Sequence, residues 1–333
     1  MKTDDQPPAS RILVLLANLG TPEAPEPRAV RRYLAEFLTD RRVVEIPRPI
    51  WLPILYGAVL STRPRKSAEA YSQVWTEDGS PLMAISKRQA AQLRDRLGDY
   101  PIVGLSMRYG RQSIASALSR AMDYAGIDRV LFVPLYPQYC AATTASAQDA
   151  LFEVLEGMRF QPAIRTLPPY YDDPLYIAAL KSSIERQLAA LDFEPQRLLL
   201  SFHGMPERTR ELGDPYYDQC VETARLLNEQ LDVATDIAFQ SRFGRAKWLE
   251  PATDQVLADY PKRGITRVAI AAPGFSADCV ETIEELGIRG REMFLKAGGE
   301  RFDRLDCLND SSEGMTMLEA LVRRELAGWL PQT

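Results

Sequence analysis

Arg11-Ile-Leu-Val-Leu-Leu-Ala-Asn18-Leu19-Gly20-Thr-Pro22-Glu23 and Arg197-Leu-Leu-Leu-Ser-Phe-His203-Gly204-Met-Pro206-Glu207 share one pattern: a basic residue, a mainly apolar run, then x-Gly-x-Pro-Glu. An apolar run without alternation is the mark of a strand buried on both faces, and the glycine and proline that follow end it. Two more blocks echo each other in the same order. Met107-Arg108-Tyr109-Gly110-Arg111 pairs with Ser241-Arg242-Phe243-Gly244-Arg245, and Arg129-Val-Leu-Phe-Val-Pro134-Leu-Tyr136-Pro137 pairs with Arg267-Val-Ala-Ile-Ala-Ala-Pro273-Gly-Phe275. The shared order argues for a duplication with loops of unequal length. Helical patterns between the runs, such as Ser113 to Ala125 and Pro174 to Leu191, make both halves α/β, with parallel strands covered on both faces. Ligands then belong in the cleft between the halves, beyond the strand C-termini.

Several function classes are disfavoured by what the 333-residue chain contains. A formal charge of −5 gives no basic footprint, so nucleic acid is not an expected partner. Cys140, Cys220, Cys279 and Cys307 show no CxxC or CxC spacing, so neither a zinc ribbon nor an iron–sulfur motif is written, and free thiols in a reducing compartment are expected. The strand-to-helix turns lack G-x-G-x-x-G, and G-x-x-x-x-G-K-[ST] is absent, which speaks against a dinucleotide or nucleoside triphosphate. Residues 1–10 are polar, acidic and proline-containing, a loose tail rather than a signal peptide.

The most apolar stretch, Ile50-Trp-Leu-Pro-Ile-Leu-Tyr-Gly-Ala-Val-Leu60, is interrupted by Pro53 and Gly57 and followed by Arg63, Arg65 and Lys66. It is too short to span a bilayer. Apolar groups beside cations suit a membrane surface, with Leu52 and Leu55 expected to face it; a buried loop-helix with a solvated basic end reads equally well.

His203 is the only histidine and closes one of the duplicated strands. Imidazole titrates near neutrality, and strand C-termini are where open α/β sheets keep their chemistry. Asp278, Glu281 and Glu285 stand at i, i+3 and i+7, on one face if the segment is helical. Asp278-x-x-Glu281 equally reads as a capping box at a helix start.

Together these blocks resemble the ferrochelatases, which insert ferrous iron into protoporphyrin IX to make protohaem. The resemblance is carried by Leu-Leu-Ala-Asn18-Leu-Gly20-Thr-Pro22, Gly79-Ser80-Pro81-Leu, Tyr136-Pro-Gln-Tyr139, Ser201-Phe-His203-Gly-Met-Pro206, Phe239-Gln-Ser-Arg-Phe-Gly244 with Trp248, and Pro273-Gly-Phe-Ser-Ala-Asp278-Cys-Val-Glu281-Thr. It implies two Rossmann-like domains, each a parallel sheet flanked by helices, around a porphyrin cleft. These would be residues 11–167 and 168–311, with a closing helix over 312–330 returning to the first.

By resemblance, His203 is the active-site histidine, as proton acceptor or metal ligand, and Glu281 its partner across the cavity. Asp278 and Glu285 extend an acidic line, which Arg289 interrupts where many members have another acid. Arg63 and Arg108 are expected near the propionates, Ser80 at the pocket rim, and Leu19, Tyr109, Tyr139 and Trp248 in the walls. Ferrous iron (Fe2+) enters as substrate and no cofactor is permanently bound. Some members hold a 2Fe-2S cluster with C-terminal cysteines, and Met315 to Thr333 has none, so no cluster is expected. Coproporphyrin-using relatives tend to carry tyrosine at the position of Leu19, which favours protoporphyrin IX. The Ile50 to Leu60 segment becomes the porphyrin's mouth at the membrane, on an otherwise cytoplasmic protein. Three other readings remain: a coproporphyrin ferrochelatase, another tetrapyrrole chelatase such as a cobalt–sirohydrochlorin enzyme, and a non-catalytic haem or porphyrin carrier with His203 as axial ligand.

Overall fold

A computed structural model describes residues 11–123, 126–244 and 246–330. The tail 1–10, Ala125 at the end of one expected helix, and Arg245 in the second repeat block lie outside the described residues.

The apolar runs are strands. In the first half β1 (Arg11–Gly20), β2 (Ile102–Tyr109), β3 (Ile127–Pro134) and β4 (Ala163–Thr166) form a parallel sheet in the order β2-β1-β3-β4. In the second, β5 (Arg197–His203), β6 (Thr235–Gln240), β7 (Arg267–Ala271) and β8 (Arg301–Arg304) repeat it as β6-β5-β7-β8. The three sequence echoes thus sit at equivalent positions: β1 with β5, the ends of β2 and β6, and β3 with β7.

Both faces of each sheet are covered, as unbroken apolar strands require. Ile12, Val14 and Leu16 of β1 face one core while Leu13, Leu15 and Ala17 face another. The first of these cores continues into the second half through Leu198, Leu200 and Phe202 of β5, whereas Leu199 points to a separate cluster.

The first half's helices are α1 (Pro27–Thr39), α2 (Arg48–Ile54), α3 (Leu60–Val74), α4 (Pro81–Leu97), α5 (Ile114–Met122) and α6 (Ser146–Glu156). Those that follow are α7 (Pro174–Ala189), α8 (Glu207–Glu211), α9 (Tyr216–Asn228), α10 (Thr253–Asp259), α11 (Arg291–Lys296) and α12 (Ser312–Glu325). Local chemistry sets their starts. Ser113 and Ser311 accept a backbone N–H at N-caps, and Asp173 does so ahead of Pro174 at the first helical position, each satisfying a donor the helix cannot. The expected helices over Ser113 to Ala125 and Pro174 to Leu191 are therefore α5 and α7. The closing helix α12 packs on both α4 and α7.

Three π-helical segments occur among the described residues, Leu55–Val59, Ala141–Ala145 and Glu281–Gly290. The first joins α2 to α3 and absorbs the irregularity around Pro53, since a π turn accommodates an extra residue. Trp51 Nε1 donates to the Leu38 carbonyl at 2.6 Å, and Leu55 is fully buried. Leu55 therefore anchors this lip, correcting the expectation that it faces outward. Ile46, Ile50, Ile54 and Tyr56 are the exposed side chains, while Leu52 is half-buried. No helix among the described residues is long and apolar enough to cross a membrane.

The halves are joined by polar contacts at strand ends. Gln89 of α4 donates to the carbonyls of Ser276 and Asn309, Ser276 Oγ donates to the Leu135 carbonyl, and Arg88 pairs with Asp310. Gln138, from the Tyr-Pro-Gln-Tyr block, donates to Thr223 of α9 at 3.0 Å. The four cysteines are free and buried.

Candidate active site

Two glycines at equivalent strand ends let the backbones close up. A Cβ on Gly20, whose φ is +108°, would lie 2.1 Å from the Tyr109 carbonyl oxygen, and one on Gly204 would lie 2.5 Å from that of Gln240. Only glycine fits such an approach. The second contact matters more for chemistry, because it places His203, just before Gly204, against the end of β6.

His203 is half-buried, in register with Gln240. Its Nδ1 lies 2.7 Å from the Gly204 carbonyl oxygen. A carbonyl can only accept, so Nδ1 carries the hydrogen, and in the neutral ring Nε2 keeps its lone pair. Phe275 flanks the ring at 6.4 Å between centroids.

Glu281 opens the ten-residue π-helix Glu281–Gly290 and has no ion pair among the described residues. Gln240 reaches it too, donating from Nε2 to the Glu281 backbone carbonyl at 2.9 Å. His203 and Glu281 thus both border the same glutamine. In a π-helix, hydrogen bonds run from i to i+5, so Glu281 and Glu285 stand about one turn apart.

The Glu285 carboxylate accepts from the Ser241 N–H at 2.8 Å and from Ser241 Oγ at 2.6 Å, and Arg289 lies 3.8 Å away. Arg289 also grips both oxygens of the buried Glu284, at 2.8 and 3.0 Å. The interruption of the acidic line expected at Arg289 is therefore an ion-pair cluster.

Asp278 does not belong to that line. It precedes the helix, is 3% exposed, and both oxygens are occupied. Oδ1 accepts from Thr282 Oγ1 and Arg304 at 2.7 and 2.8 Å, Oδ2 from Asn309 Nδ2 and the Cys307 N–H at 2.6 and 3.2 Å. A buried carboxylate must be paired in this way. The capping-box alternative also fails, since Asp278 accepts from the Thr282 hydroxyl and not from a backbone N–H of this helix; Asp278 braces its first turn through Thr282.

Leu19 is half-buried in a cluster with Tyr33, Tyr71, Tyr109 and Val280, where the two halves meet. Burial pushes the Tyr33 and Tyr71 hydroxyls well above the usual phenol range, and the nearby Glu281 charge adds to it. Arg63 of α3 is half-buried, with its guanidinium 4.8 Å above the Phe243 ring. Among the described residues it has no carboxylate partner within ion-pair distance. Burial lowers its pKa while the Glu281 charge opposes this. Phe243 in turn packs on the half-buried Trp248 at 5.1 Å, and Trp248 Nε1 donates to the Phe243 carbonyl.

Four other expected site residues remain. Ser80 is 3% exposed and accepts from the Met83 N–H as the N-cap of α4, so its hydroxyl is a helix cap, not a pocket rim. Tyr109 is 1% exposed and donates to Asp40 at 2.8 Å, which makes it core, not wall. Arg108 donates to Asp40 and to Ser146, both at 2.6 Å, so its charge is already compensated. Burial alone would raise the Asp40 pKa, but hydrogen bonds from Ser146, the Arg42 N–H and Tyr109, with the Arg108 charge, bring it below the usual carboxylate value. Asp40 and Arg108 line a cavity of about 630 Å3 with Arg41, Arg42, Arg48 and Asp149, to which neither His203 nor Glu281 contributes. Tyr139 is half-buried, and burial together with the Asp214 charge raises its hydroxyl pKa while the Arg42 charge opposes this.

Sequence reasoning did not single out Gln240 and Ser241, although both stand inside the Phe239-Gln-Ser-Arg-Phe-Gly244 block. Phe275, Phe243 and Tyr71 were likewise unmarked, because aromatic residues carry no spacing rule. Among the described residues, no three His, Cys, Asp or Glu side chains converge enough to hold a metal on their own.

The two like α/β halves, each a four-stranded parallel sheet covered by helices, are an architecture that recurs among solved chelatase structures. The same fold is found in the solved structure of SirB from Bacillus subtilis with Fe3+, at TM-score 0.57 and 15% identity over 96% of this chain and 97% of that one. It recurs in CbiX, at TM-score 0.52 and 16% identity over 94% and 98%. Sequence comparison is more specific. The ferrochelatase family profile matches residues 11–326. The ferrochelatase of Rhizobium meliloti (strain 1021) is 52% identical over 95% of each chain, and that of Mesorhizobium japonicum 50% identical over 97% of this chain and 93% of the relative. The chain belongs to the ferrochelatase family. It is a metal-chelatase lyase that inserts ferrous iron into a porphyrin in haem biosynthesis.

Proposed function

We propose that protoporphyrin IX is the porphyrin and that His203 and Glu281 handle its protons and the incoming iron. The observation that carries this reading is the junction at Gln240, which borders the only histidine and the one carboxylate of Asp278, Glu281 and Glu285 without an ion pair. Insertion exchanges two pyrrole protons for one ferrous ion, so the site must accept protons and replace iron's water ligands. His203 Nε2 has a free lone pair for either task, and the Glu281 carboxylate can take a proton or steady the metal. Arg63, half-buried without a carboxylate partner, suits a propionate, and Leu19, Phe243, Phe275 and Trp248 suit the flat apolar ring.

Coproporphyrin III carries two more propionates than protoporphyrin IX. Of the two arginines expected to serve propionates, only Arg63 has no carboxylate partner within ion-pair distance among the described residues. Extra carboxylates buried here would be poorly paired and costly. Wild-type enzyme is therefore expected to metallate protoporphyrin IX with kcat/KM at least about tenfold higher than coproporphyrin III, by anaerobic loss of porphyrin fluorescence. The opposite ranking would assign the protein to the coproporphyrin branch. We further read it as working without a 2Fe-2S cluster, since Met315 to Thr333 holds no cysteine.

The lip supports peripheral contact with a bilayer, since Ile46, Ile50, Ile54 and Tyr56 are exposed near the exposed Arg48, Arg65 and Lys66. Such a surface can insert side chains between headgroups while its cations meet anionic lipid. The double variant Ile50→Ser, Ile54→Ser is expected to cut cosedimentation with anionic vesicles about tenfold without loss of turnover in detergent. Undiminished cosedimentation would remove the membrane contact from this lip.

A further inference from the structure

We infer that Gln240 and Ser241 form a two-point clamp that sets the rotation of the π-helix Glu281–Gly290 and so aims Glu281 at the His203 side of the cleft; this rests on the His203–Glu281 reading above. A π-helix is rare, appears mostly as a single-turn bulge and is frequently found at functional sites. This one runs for ten residues, so its orientation depends on what grips it from outside.

The grip comes from the end of β6. Gln240, 2% exposed, is fixed before it reaches the helix. Its backbone carbonyl accepts from the Gly204 N–H at 2.7 Å, and its Oε1 accepts from Ser201 Oγ at 2.9 Å, which also bonds Thr253 at 2.8 Å. With Oε1 so engaged, Nε2 points at the Glu281 carbonyl. The next residue holds the next turn. Ser241 has φ +64°, the left-handed region that residues other than glycine seldom occupy. There its N–H and Oγ both donate to the Glu285 carboxylate. Strain of this kind persists where surrounding contacts over-determine it, and it collects at functional sites. One strand end thus holds two successive turns of the helix and pairs with His203 through the same residue. Gln240 and Ser241 are positioning residues: they act through Glu281 and Glu285 and need not touch the porphyrin.

Ser241→Gly separates this role from a structural one. Glycine is at ease at positive φ and keeps the N–H, so it removes only the hydroxyl contact to Glu285. A merely structural serine predicts unchanged or higher thermal stability and unchanged turnover. The clamp predicts kcat lowered about tenfold, with the porphyrin KM within about twofold of wild type and no fall in Tm. Gln240→Glu, similar in shape but without the donor, is expected to lower kcat at least as much. Wild-type kcat in Ser241→Gly, or a loss that tracks a lowered Tm, would overturn the clamp. Glu281→Gln is measured alongside. If it loses turnover while Ser241→Gly does not, only the clamp falls; if it turns over fully, the His203–Glu281 reading falls and the clamp has nothing to aim.

Discussion

Replacing His203 by alanine is expected to lower kcat for ferrous insertion by about two to four orders of magnitude while porphyrin affinity stays within a few-fold. The chain has no second imidazole. The ring sits at the end of β5 with Nδ1–H bound to the Gly204 carbonyl, so removing it takes away the one free ring nitrogen at the junction and leaves the apolar walls of Leu19, Phe243 and Trp248. A half-buried side chain at a strand terminus, with a single hydrogen bond to its own neighbour, adds little to the fold. Stability should fall by no more than about 1 kcal/mol. Equal losses of stability and activity would make His203 a structural residue, and a haem carrier would lose its axial ligand without any turnover to lose.

The largest stability effect is expected outside the chemistry, at Arg304. Its guanidinium pairs with Asp278 at 2.8 Å, and their side chains are 17% and 4% exposed. Removing one partner of a buried pair leaves an uncompensated charge, at a cost of about 3–5 kcal/mol. Thr282, Asn309 and the Cys307 N–H still bind Asp278, so Arg304→Ala should fall near the lower figure, read from the urea midpoint at unchanged m-value. Thr282 belongs to the first turn of the π-helix, so activity should fall too, before unfolding. A midpoint shift corresponding to less than about 1 kcal/mol would show that the hydrogen bonds alone hold Asp278.

The fold was legible because its signals are local. Unbroken apolar runs closed by glycine and proline became β1, β3, β5 and β7, and the order of three echoes announced two like sheets. His203 and Glu281 stand out as candidates by type and position alone. The rest depends on partners far apart in the chain. Asp278 read as one of three carboxylates on a face because the residue that neutralises it, Arg304, lies in β8. Arg108 read as a free cation because Asp40 belongs to the turn after α1. Ser80 carried a signal that was underused: serine before proline is as much a helix start as a binding hydroxyl. The π-helix has no sequence mark, and its longer turn displaces the α-helical spacing on which the carboxylate stripe was built. In the lip, Leu55 and Ile54 are chemically alike, and only the packing beneath them decides which is buried.

The central claim is that a porphyrin is metallated where His203 and Glu281 meet at Gln240. The most direct test is anaerobic insertion of ferrous iron into bound protoporphyrin IX, followed by fluorescence loss in a single turnover, for the wild type and a folded His203→Ala variant at matched porphyrin occupancy. Rapid insertion by the wild type and its near-complete loss in the variant is the predicted result; insertion at an undiminished rate in His203→Ala would contradict it.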